Sequence, residues 1–92
     1  MIKSFAHKGL EKFFLTGNQA GIQAIHAKRL RLIMALIDKA MCVEDMDAPG
    51  LHLHPRQGDR NGLWALTVQA NWRVVFRFEA GDAYVVDSLD YH

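Results

Sequence analysis

The chain contains very little cysteine and no long apolar run. Cys42 is the one cysteine among 92 residues, which excludes an internal disulfide framework and a cysteine-based zinc site and suits a reducing cytoplasm. Free cysteines are usually buried, so we expect Cys42 to be a small buried hydrophobe. The longest unbroken apolar stretch is six residues, Leu32–Ile37, too short for a membrane span or a signal-peptide core. We therefore expect a cytoplasmic protein with no membrane contact.

Net charge is also small, +1 overall, which argues against tight, non-specific binding of duplex nucleic acid by charge alone. The charges are nevertheless distributed in blocks. Residues 1–37 carry a net +5 and residues 50–78 a net +3, whereas residues 38–49 carry −3 and residues 79–92 carry −4. Such blocks steer a polyanion toward one side of a molecule.

The familiar motifs of nucleotide and metal enzymes are missing. The sequence has no phosphate-binding loop, no dinucleotide fingerprint and no H-E-x-x-H. It also has no internal repeat, linker or low-complexity segment. At this length, with half of its residues apolar, the chain is expected to form a single domain, residues 1–92.

Two alternating runs, Leu63–Gln69 and Trp72–Phe78, dominate the pattern. Both are rich in aromatic and β-branched residues and only Ala70-Asn71 separates them, so they predict adjacent antiparallel strands. In the second run the apolar residues point to one face, and Arg73 and Arg77 point to the other. This second face is a plausible platform for phosphate. The alternative is two surface arginines that pair with nearby acids.

The remaining elements complete an α+β fold. Helical spacing predicts helices over about Lys8–Leu15, ended by Gly17-Asn18, and Ile22–Ala40. Shorter alternations predict three further strands: Met1–Phe5, Leu51–Pro55 and Ala83–Leu89. The predicted order is β-α-α-β-β-β-β, with two N-terminal helices packed on a mainly antiparallel sheet.

The last hairpin determines which residues face Arg73. A turn at Gly81-Asp82 would place Arg73 opposite Asp90 and Trp72 opposite Tyr91. A slip of one residue would move these side chains to opposite faces, so this prediction depends on the turn.

Under that arrangement a polar set converges: His54, Arg56, Arg60, Arg73 and the C-terminal Asp90-Tyr91-His92. These are the groups that cleave a phosphodiester without metal. One takes a proton from the ribose 2′-OH, another gives a proton to the leaving 5′-oxygen, and a guanidinium stabilises the transition-state charge. Imidazole suits the proton transfers because it ordinarily titrates near neutrality. We expect no cofactor and no metal ion.

Two other interpretations of these residues remain open. His52, His54 and His92 have the makings of a zinc triad, although the surrounding arginines disfavour a dication. The C-terminal residues can also be a solvated tail, as chain ends often are.

Four blocks of the sequence closely resemble the HigB toxins, RelE-like members of type II toxin–antitoxin systems. The blocks are Met-Ile-Lys-Ser-Phe-x-His-Lys-Gly-Leu at the start, Leu53-His54-Pro55-x-x-Gly58-Asp59-Arg60, Ala70-Asn71-Trp72-Arg73, and Gly81-Asp82-Ala83-Tyr84 with the ending Asp90-Tyr91-His92. The match covers essentially the whole chain.

The resemblance implies the RelE fold and a ribosome-dependent endoribonuclease that cuts mRNA in the decoding site of the 70S ribosome. It also implies a HigA-type helix-turn-helix antitoxin that binds the toxin and the operator DNA, so that the toxin reaches DNA only through its antitoxin. Catalytic positions of the family match His54, Arg73, Asp90, Tyr91 and His92.

One position departs from the family pattern. The best-known form has a lysine where this chain has Gln57, and glutamine supplies no cation. Arg56, Arg60 and Arg77 are then the candidates for phosphate binding, with Gln57 as an RNA contact. A catalytically silent member that serves only as an antitoxin partner or corepressor is the alternative.

Overall fold

The structure is a computed structural model, and it describes residues 1–56 and 62–90. Its helical elements are the α-helices α1 and α2 and two short 3-10 turns. Helix α1 spans Lys8–Thr16; a turn at Ala24–His26 leads into α2, Ala27–Lys39, and a second turn covers Val43–Met46. The strands are β1 at His54–Pro55, β2 at Leu63–Gln69, β3 at Trp72–Glu79 and β4 at Asp82–Asp90. Within the described residues they form a four-stranded sheet in the order β1-β2-β3-β4, with every neighbouring pair antiparallel.

Local signals set the ends of α1. The Nδ1 of His7 accepts a hydrogen bond of 3.0 Å from the Leu10 N–H, which satisfies one of the free donors at the helix start. Gly17 ends the helix with φ +80°, and its N–H donates to the Phe13 carbonyl at 2.8 Å. The predicted stop is confirmed, because glycine takes this left-handed conformation at no steric cost.

Helix α2 begins later than predicted. The chain from Ile22 does not enter the α-helix directly, and Ala24–His26 form a 3-10 turn first. A cause is visible at Gly21, whose Cα and carbonyl lie against Gly9 of α1, so this segment is held at the first helix. From Ala27 onward α2 buries the apolar stripe Leu30, Ile33, Met34 and Ile37.

This stripe packs on the alternate residues of the central strands. Leu66 and Val68 of β2 and Val74 and Phe76 of β3 are fully or almost fully buried in the same core as the helices. The predicted alternation of β2 and β3 is therefore confirmed, and it leaves the odd-numbered residues of β3 on the other face.

The first predicted strand is reduced to two contacts. Ile2 bridges Ala83 and Phe5 bridges Val86, both parallel to β4, without a continuous ladder between them. On the side away from β4, the Ile2 N–H donates to the Asp38 carboxylate of α2 at 2.9 Å, which ties the start of the chain to this helix.

Strand β1 is also shorter than the predicted Leu51–Pro55. His52 has φ +50°, which breaks the extended backbone before His54. The Leu51 carbonyl still accepts a hydrogen bond of 2.7 Å from the Thr67 N–H, so the chain stays beside β2.

The predicted register of the last hairpin is wrong, by two residues next to the turn and by one residue at Arg73. The turn lies at Ala80-Gly81, not Gly81-Asp82, and both turn residues have positive φ, as in a type I′ turn. Asp82 opens β4 instead, beside the chain start: the Met1 ammonium donates to the Gly81 carbonyl at 3.0 Å and lies 3.5 Å from the Asp82 carboxylate. This turn alone would place Arg73 opposite Ser88, but β4 has an extra residue between Tyr84 and Asp87, so Arg73 lies opposite Leu89 and Trp72 lies opposite Asp90.

Cys42 is exposed, contrary to the prediction of a buried thiol. It precedes the turn at Val43–Met46, where its backbone N–H approaches the Asp45 carboxylate at 3.4 Å. A residue that begins an exposed turn is placed by backbone hydrogen bonds and not by burial of its side chain. The usual burial of free cysteines therefore did not predict the exposure of Cys42. In the described part of the chain, neither helix has the length and apolar character needed to cross a membrane.

Candidate active site on the open face of the sheet

The face of the sheet opposite the helices, called here the open face, carries Arg73 and Arg77, the two arginines of the predicted phosphate platform. Residues paired across neighbouring strands share a face, so the pairings define its members. They are His54 of β1, Leu63, Ala65 and Thr67 of β2, Arg73, Val75 and Arg77 of β3, and Tyr84, Asp87 and Leu89 of β4. His54 and Arg73 thus lie on one face as predicted, two strands across and two residues along the sheet, a separation of about 12 Å from the strand spacing and rise.

His54 has one ring nitrogen occupied. Its Nδ1 lies 2.6 Å from the His52 carbonyl oxygen. A carbonyl only accepts, so the hydrogen bond requires the proton on Nδ1 and leaves the Nε2 lone pair of the neutral ring available. This tautomer is the one that a general base uses when a backbone carbonyl orients it.

Arg73 is anchored at the β2–β3 turn. Its Nη1 donates to the Ala70 carbonyl at 2.6 Å and to the Trp72 carbonyl at 3.1 Å. The side chain is half-buried and its Nε is fully buried. An arginine held in this way presents its charge at a fixed place, which is what stabilisation of a developing negative charge requires.

Arg77 lies further along the same strand, beside an aromatic ring. Its guanidinium carbon is 5.2 Å from the centre of the Tyr84 ring, within cation–π range. Its Nε is also 3.4 Å from the Glu79 carboxylate, and the Arg77 side chain is 38% exposed. Arg77 therefore matches in part the alternative interpretation of an arginine paired with a nearby acid, whereas Arg73 binds backbone carbonyls.

Val75, between these two arginines, is 2% exposed, and its neighbour Ala65 is 0% exposed. Both stand outside the core that the helices cover. The centre of the open face is consequently apolar and closely covered, with the cationic groups at its two ends.

The other predicted site residues are placed less completely. Arg56 directly follows β1, is half-buried, and its backbone N–H donates to the Leu63 carbonyl at 2.9 Å. Gln57 and Arg60, and Tyr91 and His92 at the end of the chain, lie outside the described residues.

Asp90 does not lie opposite Arg73, which corrects the predicted pairing. It is opposite Trp72, whose ring packs edge-on against the buried His26 with ring centres 5.3 Å apart. Trp72 lies on the helix side of the sheet, so Asp90 lies on that side as well and not on the open face. The turn at Ala80-Gly81 alone shifts the pairing by two residues and keeps every face, whereas the extra residue of β4 between Tyr84 and Asp87 shifts it by one and moves Asp90 to the helix side.

Tyr84 is the open-face residue that sequence reasoning missed. Regular alternation would give residues 84 and 86 the same face, yet Val86 is buried in the core while Tyr84 pairs with Arg77. A register shift in β4 makes this possible. The adjacent Val85-Val86 was the available signal, because two neighbouring β-branched residues interrupt the alternation of polar and apolar side chains.

Two further features are the considered metal site and a groove on the other side of the sheet. Residues 1–56 and 62–90 contain no group of three His, Cys, Asp or Glu side chains arranged to hold a metal ion, and the considered His52/His54/His92 triad extends beyond them. An open groove of about 580 Å³ lies on the helix side of the sheet, between α2 and the end of β2.

The fold and the open face together define a class: a small α+β protein that presents a histidine and arginines on the side of an antiparallel sheet opposite its helices. Over residues 3–92 the chain matches the family described as the RelE-like toxin of type II toxin–antitoxin system HigB. It is also 44% identical over 92 residues to the endoribonuclease HigB of Proteus vulgaris, with 100% of both chains covered. The chain therefore belongs to the HigB-like toxins, and membership implies an antitoxin partner.

Proposed function

We propose that this toxin is an endoribonuclease that cleaves mRNA on the translating ribosome without a metal ion. The observation that carries the proposal is the shared face of His54 and Arg73, one with a free Nε2 and the other with a fixed guanidinium. The name of the Proteus vulgaris relative supports the reaction class.

The proposed reaction needs only side chains of this chain. The His54 Nε2 takes the proton of the ribose 2′-OH, and the 2′-oxygen attacks phosphorus. The bond from phosphorus to the 5′-oxygen breaks, leaving a 2′,3′-cyclic phosphate and a 5′-hydroxyl. Arg73 stabilises the additional charge on the phosphoryl oxygens.

The leaving 5′-oxygen must receive a proton. We assign this step to the C-terminal segment Asp90-Tyr91-His92, with His92 as the donor, on its resemblance to the family motif. Arg56, Gln57 and Arg60 are proposed to hold the neighbouring phosphates and bases.

We expect dependence on the ribosome because the chain has few groups that could bind a free RNA strand. The net charge is +1, and the open face has a covered apolar centre between its cations. A ribosome that holds the mRNA supplies the positioning, which is worth several kcal/mol of barrier lowering. Such a protein acts in the cytoplasm, where translation takes place.

The antitoxin is proposed to be of the HigA type, with a helix-turn-helix domain. In this proposal the antitoxin makes the contacts to operator DNA and the toxin makes none, since a net charge of +1 gives little affinity for a duplex.

The test is primer-extension mapping of mRNA ends, using purified toxin with the same message either free or bound to 70S ribosomes kept in magnesium. We expect cleavage on ribosomes only, unchanged after the toxin is treated with EDTA, and reduced by roughly 10²–10⁴-fold in His54→Ala. Lys12→Ala, an exposed cation on α1, is the matched control and should cleave normally. Rapid cleavage of free mRNA, or zinc bound at one equivalent, would contradict the proposal.

The alternative, a silent member of the family, is favoured by Gln57 in place of the lysine. Induction of the toxin in cells separates the two functions, because only the enzyme arrests growth.

A further inference from the structure

Strand β4 contains a bulge with a strained residue. Val75 pairs with Asp87 but Arg77 pairs with Tyr84, so β4 has one residue more than β3 between these pairs. Val85, within the bulge, has φ +50° and is 42% exposed. A β-branched residue in this left-handed region is a genuine outlier, and strain of this kind concentrates at ligand-binding and active sites.

The start of the chain contributes to this bulge. The Val85 N–H, which has no partner in the β3 ladder, donates to the Ser4 hydroxyl at 2.9 Å. The next N–H, of Val86, donates to the Ser4 carbonyl at 3.1 Å. Ser4, a residue of a distant segment, therefore accepts two hydrogen bonds that hold the bulge.

The bulge separates the faces of Tyr84 and Val86. Without it the two residues would share a face, yet Val86 is fully buried under the helices. Tyr84 pairs with Arg77 on the open face, in the register set by the turn at Ala80-Gly81, and the two side chains stack at 5.2 Å. Both remain partly exposed.

We propose that Tyr84 and Arg77 form a stacking platform for a base of the single-stranded RNA whose phosphate is bound at Arg73. Arg77 is four residues from Arg73 along β3, about 13 Å at the rise of a strand. The platform thus lies beyond the reacting phosphate and would receive a neighbouring nucleotide of the same RNA strand. Aromatic rings and arginines bind any base by stacking, so it fixes the path of the strand without reading its sequence.

The platform rests on the proposed function in one respect, namely that the ligand is RNA. The competing explanation is that the Tyr84–Arg77 contact only stabilises the last hairpin. The two explanations differ in their effect on RNA affinity, which can be measured without cleavage.

The experiment is a nuclear magnetic resonance titration of the intact protein with a short single-stranded RNA whose 2′-oxygens are methylated, so that 2′-OH attack is blocked. We expect shifts at the Tyr84 ring and the Arg77 side chain. Tyr84→Leu should weaken the affinity by roughly 5- to 150-fold, the range for losing one stacked base. Tyr84→Phe, which keeps the ring, should bind within about twofold of wild type, and Val85→Gly, which keeps the left-handed backbone, is the matched neighbouring control.

Salt dependence separates the two members of the platform. Arg77→Gln should lower the slope of log affinity against log salt by about 0.7 if the cation contacts one phosphate, and Tyr84→Leu should leave the slope unchanged. Equal RNA affinity of Tyr84→Leu and wild type, with a loss only in thermal stability, would overturn the proposal. So would an absence of shifts at Tyr84 in saturating RNA.

Cleavage on ribosomes, measured in parallel, keeps the two proposals distinguishable. Shifts at Tyr84 without ribosomal cleavage would contradict the proposed reaction and support the platform. Normal cleavage and normal RNA binding by Tyr84→Leu would support the proposed reaction and contradict the platform.

Discussion

At the scale of single residues, the open face separates two kinds of arginine. Arg73 donates two hydrogen bonds from one nitrogen to backbone carbonyls of the β2–β3 turn, whereas Arg77 lies against a tyrosine ring and a carboxylate. A guanidinium that is held by backbone atoms needs no reorganisation when charge develops next to it.

The contributions of the shape and of the charge of Arg73 to cleavage can be tested separately. Arg73→Ala should lower the single-turnover rate of cleavage on ribosomes by about 10²–10³-fold, because charge stabilisation is lost. Arg73→Lys keeps the charge but not the planar fork that contacts the Ala70 and Trp72 carbonyls, so we expect an intermediate rate. Thermal unfolding of each variant serves as the control. A lysine variant as fast as wild type would mean that fixed geometry does not matter.

At the scale of elements, the contact between α1 and the segment before α2 depends on two glycines. A Cβ on Gly9 would collide with the Gly21 carbonyl oxygen and would lie 2.7 Å from the Gly21 Cα. The obstacle is backbone on both sides, so neither chain can yield as a flexible side chain does.

Gly9→Ala should therefore destabilise the protein although alanine favours a helix. The helix propensity gains about 1 kcal/mol. Forcing apart closely packed backbone costs about 1–3 kcal/mol or more, so we expect a net loss of up to about 2 kcal/mol in the free energy of unfolding. Urea denaturation measures this, and Lys8→Ala, on the preceding exposed residue, should change stability by no more than about 0.5 kcal/mol. A more stable Gly9→Ala would show that the two segments separate easily.

The turn at Val43–Met46 contributes a pH-dependent element. Hydrogen bonds from the Met41 N–H, and then from the Cys42 thiol and N–H, hold the pKa of Asp45 below its ordinary value. The Asp45 N–H lowers the pKa of Cys42, but the Glu44 and Asp45 carboxylates outweigh it and the thiol pKa is raised.

A depressed folded-state pKa contributes stability at pH values above the pKa of the unfolded aspartate. This contribution is lost as the pH falls from there through the lower folded-state pKa. Asp45→Asn should consequently be less stable than wild type at neutral pH, and the difference should shrink in acid. Denaturation midpoints of the two proteins between neutral pH and about pH 2 test this, and a constant difference would contradict it.

At the scale of the whole molecule, the start of the chain joins the last hairpin while the proposed proton donor lies past the end of β4. Met1, Ser4 and Ala6 all form backbone or side-chain hydrogen bonds to residues 81–86. The last strand of the described residues ends at Asp90, and all of the buried core residues given for them precede it in the sequence.

Deletion of Tyr91-His92, or His92→Ala, should abolish growth arrest while folding and antitoxin binding stay nearly intact. Loss of a proton-transfer group costs roughly 10²–10⁴-fold in rate. The measurements are growth after induction, thermal unfolding and co-purification with the antitoxin. Arrest at the wild-type level by the truncated toxin would identify the C-terminal residues as a solvated tail.

The central hairpin and the helices could be predicted because their signals are local. In β3 the apolar residues Trp72, Val74 and Phe76 alternate with Arg73 and Arg77. Because the apolar residues must face the core, the alternation places both arginines on the opposite face. Gly17 likewise ends α1 where its conformational freedom is required.

The tertiary structure decided the features that depend on two distant segments. The last turn, in which Ala80 takes φ +50°, sets Tyr84 opposite Arg77 on the open face; the neighbouring Asp82 is held by the Met1 ammonium. The bulge at Val85, whose N–H donates to the Ser4 hydroxyl, shifts the later pairs by one residue and moves Asp90 off the open face. The sequence by itself therefore determined which strands exist and which way the central pair faces, because burial and alternation act within a few residues. Only the folded chain determined what lies opposite Arg73 and Arg77, because pairing between strands is fixed by turns and by hydrogen bonds from the other end of the chain.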